Sequence, residues 1–108
     1  MPFIDVRATE TIGPEQEQTL KARLGEAIGL IPGKSEGSLM IQFSDNCRLW
    51  FGGQQGNFVF VNVMLYGAAE KRDYEMFQGA VIPVLEEVLG CEKVYLKFEE
   101  VPNWFWKL

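Results

Sequence analysis

The sequence predicts an α/β fold (α+β in some schemes) in which two β-α-β units form a four-stranded mixed sheet with both helices on one face. Strand-like segments rich in alternating apolar residues occur at 3–8, 38–44, 57–66 and 93–99. Two intervening segments carry apolar residues at helical spacing. With 108 residues and 47% hydrophobic content, the chain suits one domain, residues 1–108, with one core.

The first half reads as strand, helix, strand. Pro14 fits the first turn of a helix, and Glu15 and Glu17 suit the positive end of its dipole. Apolar residues then recur at helical spacing: Leu20, Leu24, Ala27, Ile28 and Ile31. Pro32-Gly33 is expected to stop this helix, and the alternating segment 38–44 follows as a strand.

The second half repeats this pattern, and its segment 57–66 is the strongest strand signal in the chain. One face of it carries Val59, Val61, Val63 and Leu65, and the other carries Phe58, Phe60, Asn62, Met64 and Tyr66. A helix is predicted from about residue 70 to Leu89, with Gly90 as its C-cap. Pro83 lies inside this helix, where we expect it to bend the helix without breaking it.

The sheet that these elements form has one face with no partner. Each β-α-β unit gives a parallel pair of strands, and the Val/Leu faces are expected to pack on the helices. Phe58, Phe60 and Met64 then lie on the opposite face, which is too apolar to meet water. The sequence therefore predicts a homo-oligomer.

Charge and composition exclude several classes of function. The net charge of −5 argues against binding to nucleic acids or anionic membranes. There is no histidine, which removes the commonest general base and metal ligand. We expect no metal and no cofactor. Cys47 and Cys91 form no CxxC pair and, without a secretion signal, indicate reduced thiols in a cytoplasmic protein.

Pro2, directly after Met1, is the most informative residue for chemistry. If Met1 is removed, Pro2 carries a free secondary amine on a rigid ring. The following residues are strand-like, so a sheet would hold that amine in place. A positioned amine can act as a general base once its pKa is lowered by burial or by nearby cations.

Several short motifs in order carry a resemblance to a known family. They are Pro2 in the opening PFIDV, Lys34 after the first helix, Phe51-Gly52-Gly53, Leu65-Tyr66-Gly67 and Val94-Tyr95-Leu96. With the β-α-β repeat, they resemble the tautomerase superfamily, and within it the macrophage migration inhibitory factor and D-dopachrome tautomerase family. The resemblance covers essentially the whole chain.

This resemblance implies a homotrimer in which three sheets form an inner barrel and the helices lie outside. It also implies three active sites at subunit boundaries, with Pro2 as the catalytic base. The other implied site residues bind substrate or line the pocket. They are Lys34, Tyr66 through its backbone, Tyr95 from the neighbouring subunit, Lys97, Phe3, and Trp104 or Trp106.

The implied function is an isomerase, a keto–enol tautomerase acting on phenylpyruvate-like or dopachrome-like substrates through the Pro2 amine. Lys34 would bind the carboxylate of a keto acid, and Lys97 a second anionic group if it faces inward. The alternative is a non-catalytic binding or cytokine-type signalling protein on the same trimeric scaffold. A third reading is hydration or dehalogenation of a small unsaturated acid, for which Arg7 or Arg48 would supply the added arginine.

Overall fold

The computed structural model describes all 108 residues and contains four strands and two α-helices. Their bounds are β1 Pro2–Ala8, α1 Pro14–Ala27, β2 Met40–Ser44, β3 Phe58–Tyr66, α2 Lys71–Leu89 and β4 Lys93–Val101. Two short 3₁₀ turns, Ile28–Leu30 and Glu36–Ser38, lie between α1 and β2. The predicted order of elements is therefore confirmed. No helix combines the length and the apolar character needed to span a membrane.

The four strands form one mixed sheet in the order β2-β1-β3-β4. Each β-α-β unit contributes a parallel pair, β1 with β2 and β3 with β4. The two units join through antiparallel pairing of β1 with β3, which sets Pro2 opposite Leu65. This arrangement places the start of the chain in the middle of the sheet.

The helices begin where the sequence predicts, but α1 ends early. Pro14 is the first residue of α1, and the preceding Gly13 N–H donates to the Gln16 side chain at 2.7 Å. Helix α1 ends at Ala27, and Ile28–Leu30 tighten into a 3₁₀ turn, as the last turn of a helix often does. Helix α2 passes through Pro83 without a break and ends at Gly90, whose φ of 63° is readily adopted only without a side chain.

The core lies between the helices and one face of the sheet. On β3, the four alternate residues Val59, Val61, Val63 and Leu65 are at most 2% exposed, as the alternation predicts. They belong to a cluster of 19 buried residues drawn from both helices and the central strands. Burial of this side is the main force that holds the helices on the sheet.

The opposite side of the sheet, which we call the open face, is more polar than β3 alone suggests. Asp5 and Asn62 lie side by side on it in the β1–β3 register. Each has a buried side-chain oxygen, Oδ1, without a hydrogen-bond partner. Of the apolar residues predicted on this face, Phe58 is only 8% exposed, because residues of the same chain, among them Phe51, cover it. Phe60 and Met64 are half-buried.

Candidate active site at the start of the first strand

Pro2 is the first residue of a central strand and is less than 2% exposed. A proline is tolerated there because its missing N–H falls at the end of the hydrogen-bond ladder. Pairing with Leu65 fixes it at the carboxyl end of β3. The sheet therefore holds the nitrogen of Pro2 on a rigid element, as the sequence predicts.

Lys34 reaches the same end of the sheet from a tight turn. The Lys34 N–H donates to the Ile31 carbonyl at 3.1 Å. Between them lie Pro32 and Gly33, the latter with φ of 79°, which is the pattern of a type II turn. From this turn, the Lys34 ammonium donates to the backbone carbonyl of Tyr66 at 2.7 Å. A lysine 32 residues distant in sequence is thereby placed at the end of β3.

The backbone of Tyr66 joins this lysine to the amino terminus. The Tyr66 N–H donates to the carbonyl oxygen of Met1 at 3.1 Å. The carbon of that carbonyl is bonded to the Pro2 nitrogen. The Tyr66 N–H therefore binds the same peptide group to which the Pro2 nitrogen belongs. The residue 1–2 peptide, the Tyr66 backbone and the Lys34 ammonium thus meet at one point.

Electrostatics at this point disfavour a positive charge on the terminal amine. Burial is the largest cause, followed by the charge of Lys34 and its hydrogen bond, and together they lower the pKa of the Met1 α-amino group below its usual value. All three causes act by destabilising the ammonium form. The Pro2 nitrogen, in the adjoining peptide, is itself buried.

Aromatic side chains lie beside this junction. The Tyr66 ring meets Trp106 edge-on, with 5.9 Å between ring centroids. Trp104 is half-buried in the segment after β4. Of the two predicted wall tryptophans, Trp106 is thus the one in contact with Tyr66. Phe3 lies on the open face, opposite Met40 and Met64.

Two predicted site residues lie away from Pro2 within one chain. Tyr95 is opposite Phe60 and Lys97 is opposite Asn62, whereas Pro2 is opposite Leu65. At about 3.3 Å per residue along β3, these positions are about 17 Å and about 10 Å from the Pro2 row. A single chain therefore brings Lys34, Tyr66 and Trp106 to the end of the sheet where Pro2 lies, but it does not bring Tyr95 or Lys97 there.

Lys97 has a partner of its own. Its ammonium donates to the Glu99 carboxylate at 3.1 Å. This contact, followed by one from Asn62, lowers the pKa of Glu99 below its usual value. The charge of Lys97 is thereby partly neutralised, which weakens the expectation that it binds a second anionic group.

Tyr95 belongs to a second aromatic group at the other end of the open face. Its ring meets Phe51 edge-on at 5.7 Å, and the Lys93 ammonium lies 5.5 Å from the Phe51 centroid. This group lines a mainly apolar cavity of about 200 Å³. Its remaining lining residues are Leu49, Trp50, Phe58, Val59 and Phe60.

Neither candidate arginine approaches Pro2 within the chain. Arg7 lies five positions along β1 and bonds to Asp5 at 3.0 Å. Arg48 follows Cys47, whose N–H donates to the carbonyl of Ala8 at the far end of β1. The arginine expected for hydration or dehalogenation is therefore not supplied by either residue of the same chain.

Sequence reasoning missed one pair of residues that borders the site. The Tyr74 hydroxyl of α2 donates to the Glu100 carboxylate of β4 at 2.5 Å. Both residues also accept from the Ala69 N–H, at 3.2 Å and 3.4 Å. No local pattern could have revealed this contact, because packing of α2 on the sheet brings together two residues 26 positions apart.

The chain resembles known proteins in its fold and not closely in its sequence. No protein-family model and no curated protein matches the sequence. Leishmania major MIF2 superposes with a TM-score of 0.90 at 21% identity, over 98% of this chain and 93% of that one. The macrophage migration inhibitory factor homologue from Prochlorococcus marinus gives 0.80 at 24% identity, over 97% and 95%.

A third solved structure, Pt0534 inactivated by 2-oxo-3-pentynoate, gives a TM-score of 0.73 at 17% identity, over 94% of this chain and 89% of that one. At such identities the likeness establishes the fold, and it confirms at that level the resemblance inferred from the sequence motifs. The chain therefore has the fold of the macrophage migration inhibitory factor proteins.

Proposed function

We propose that this protein is a keto–enol tautomerase, an isomerase of the phenylpyruvate or dopachrome type, in which the Pro2 amine is freed by removal of Met1 and acts as general base. The observation that carries the proposal is the meeting of three groups at the end of β3. These groups are the Pro2 nitrogen, the Tyr66 backbone and the Lys34 ammonium. The Tyr66 N–H donates at 3.1 Å to the Met1 carbonyl, which is bonded to the Pro2 nitrogen, and the Lys34 ammonium donates at 2.7 Å to the Tyr66 carbonyl.

Removal of Met1 changes two groups at once. It turns the Pro2 nitrogen from an amide into a secondary amine, and it takes away the carbonyl that accepts from the Tyr66 N–H. The mature site therefore gains a base and, beside it, an unpaired backbone donor. The Tyr66 N–H is then suited to donate a hydrogen bond to a substrate oxygen, because leaving it unpaired costs free energy.

The proposed reaction needs only these groups. The neutral amine removes a proton from the carbon next to a ketone, and the C–H electron pair forms the C=C bond of the enolate. Lys34 and the Tyr66 N–H stabilise the negative charge on the oxygen or hold the adjoining carboxylate. The proton then passes from the Pro2 ammonium to the enolate oxygen, or back to carbon in the reverse direction.

The chemistry around the amine favours an aryl keto acid as substrate. Lys34 is the cation that would bind the carboxylate of the substrate. Its ammonium group forms no ion pair with a carboxylate of the chain. The Tyr66 and Trp106 rings beside it offer an apolar contact for an aromatic group. Phenylpyruvate combines both features.

The proposal includes a homotrimer, with each active site at a subunit boundary. The separation of Tyr95 from Pro2 supports this, because within one chain Tyr95 lies toward the opposite end of the sheet and could reach a Pro2 site only from another subunit. The open face supports it as well. Two buried oxygens there, on Asp5 and Asn62, have no partner in the monomer, a cost that contact with other copies could offset.

The test compares two forms of the same chain. One is the mature form, and the other retains a single extra residue before Pro2, so that the nitrogen remains an amide in an otherwise identical fold. Intact mass identifies each form, and the keto–enol conversion of phenylpyruvate is measured on both. We expect activity in the mature form alone, and a loss of at least about tenfold in Pro2→Gly.

Covalent labelling gives an independent readout. The reagent 2-oxo-3-pentynoate is an alkyne activated by a keto acid, and a neutral amine at Pro2 should add to it once per chain. Labelling of the mature form, blocked by the extra residue, supports the base. A mature form that neither turns over phenylpyruvate nor takes up the reagent would overturn the proposal in favour of the non-catalytic binding protein.

A further inference from the structure

The Tyr74 hydroxyl and the Glu100 carboxylate form a clamp beside the candidate site. The hydroxyl donates to Glu100 at 2.5 Å and accepts from the Ala69 N–H at 3.2 Å. The same N–H also lies 3.4 Å from the Glu100 carboxylate. Three elements therefore meet at one hydroxyl: helix α2, strand β4 and the loop between β3 and α2.

Packing fixes the ring that carries this hydroxyl. Tyr74 stacks on Phe98 with 4.2 Å between centroids and an interplanar angle of 20°. Phe98 in turn meets the fully buried Phe77 edge-on at 5.6 Å. The hydroxyl is thus presented by a rigid aromatic stack, and removing its oxygen alone leaves this packing in place.

The clamp acts on the peptide to which Lys34 is bound. The carbonyl of Tyr66 and the N–H of Gly67 belong to one planar peptide unit. The carbonyl accepts from Lys34 at 2.7 Å, and the N–H donates to Val101 at 3.5 Å. Two residues later, Ala69 is held by the clamp, so only Gly67 and Ala68 separate the Lys34 acceptor from it.

Gly67 makes this short connection dependent on an outside restraint. Its φ of 88° lies in the region that only glycine adopts readily, and glycine has the most freedom to leave it. Without the clamp, only the 3.5 Å hydrogen bond from the Gly67 N–H to the Val101 carbonyl opposes rotation of the Tyr66–Gly67 peptide at this residue. The Tyr66 carbonyl would then lose its direction toward Lys34.

We propose that Tyr74 and Glu100 are positioning residues that orient the Tyr66–Gly67 peptide and so hold the Lys34 ammonium beside the N-terminal amine. This inference rests on the proposed function for its catalytic consequence. Neither residue touches the reacting atoms, and both act through the backbone carbonyl of Tyr66.

The hydroxyl remains a donor at every physiological pH. Burial is the largest cause, with the Glu100 hydrogen bond second, and they raise the pKa of Tyr74 to about 12. The charged groups that face the hydroxyl are Glu100 and Asp73, both acidic, so both favour the protonated phenol. The clamp is therefore a constant restraint and not a pH switch.

The test uses the pKa of the Pro2 amine in the mature protein, measured by NMR titration of protein labelled with ¹⁵N-proline. In Tyr74→Phe we expect this pKa to rise by about half a unit, because Lys34 moves away from the amine. Glu100→Gln keeps an acceptor oxygen but loses the charge, and a smaller rise is expected. The control Thr19→Val removes an exposed hydroxyl of α1 and should leave the pKa unchanged.

Kinetics add a second readout. The KM for phenylpyruvate should rise several-fold in Tyr74→Phe, because a displaced Lys34 binds the carboxylate poorly. An amine pKa that is unchanged in both clamp variants would overturn the inference. The titration needs no turnover, so an inactive wild-type protein would overturn the proposed function alone. If Tyr74→Phe does not fold, Glu100→Gln decides by the same titration.

Discussion

Replacing Lys34 by methionine removes the cation at the amino terminus while keeping a long apolar side chain. Two unit charges at about 5 Å interact by about 0.8 kcal/mol in water and by about 3 kcal/mol at an effective dielectric constant of about 20. Lys34 is half-buried, so solvent screening puts its effect toward the lower figure. We take about 1.4 kcal/mol, which is a rise of about one unit in the pKa of the mature Pro2 amine.

The sign of the kinetic effect follows from the neutral amine being the active form. A higher amine pKa leaves fewer neutral molecules on the acid side, so the acid limb of the kcat/KM profile moves about one unit to higher pH. Well below the wild-type pKa this costs about tenfold in rate. Well above the variant's pKa, only the loss of substrate binding remains, and it should appear mainly in KM.

The assay is the pH dependence of phenylpyruvate turnover by the mature wild type, Lys34→Met and two controls. Lys34→Arg keeps the charge and should keep the acid limb near its original position. Arg23→Met removes an exposed cation of α1 that forms no ion pair, so it matches the change in net charge. A Lys34→Met profile whose acid limb coincides with that of the wild type would refute the electrostatic reasoning.

Three further predictions concern stability. Leu85→Ala should lower the free energy of unfolding in urea by about 2–5 kcal/mol, since Leu85 is fully buried. Met76→Ala, at a position 55% exposed, should lower it by less than about 1 kcal/mol. Similar urea midpoints for the two variants would contradict the core assignment. Gly67→Ala should destabilise by about 1 kcal/mol through its φ of 88°, and an unchanged melting temperature would show that the backbone relaxes. Because the pKa of Tyr74 is raised to about 12, its hydroxyl stabilises the fold fully below about pH 10 and loses this contribution as the pH rises from about 10 to 12. Tyr74→Phe should therefore reduce the fall in the free energy of unfolding over this pH range. An equal fall in the variant and the wild type would count against the clamp.

Much of the fold could be predicted from local pattern. The alternation in residues 57–66 predicted the buried face of β3, because successive side chains of a strand point to opposite sides. Pro14 and Gly90 predicted the first residue of α1 and the end of α2, because each has a restricted backbone role. The end of α1 was predicted less accurately, since Ile28 and Ile31 continue the helical spacing of apolar residues beyond Ala27, where the α-helix ends.

The site was predicted less completely. Pro2 and Lys34 were singled out by their positions in short motifs, and the structure brings them to the same end of β3. The resemblance implies that Tyr95 reaches the site from a neighbouring subunit, and within a single chain both Tyr95 and Lys97 lie away from Pro2. The Tyr74–Glu100 clamp went unseen, because no periodicity links a helix residue to a strand residue 26 positions later.

By itself, the sequence determined which segments form strands and helices and which side of each is buried, because these depend on the period of apolar residues. It also placed Pro2 directly after Met1, so the covalent structure alone shows that removal of Met1 would give a secondary amine. Only the tertiary structure decided that β1 pairs antiparallel with β3 in the centre of the sheet. Alternation specifies the faces of a strand but not its neighbours, and this pairing brings the residue 1–2 peptide to Tyr66 and, through it, to Lys34.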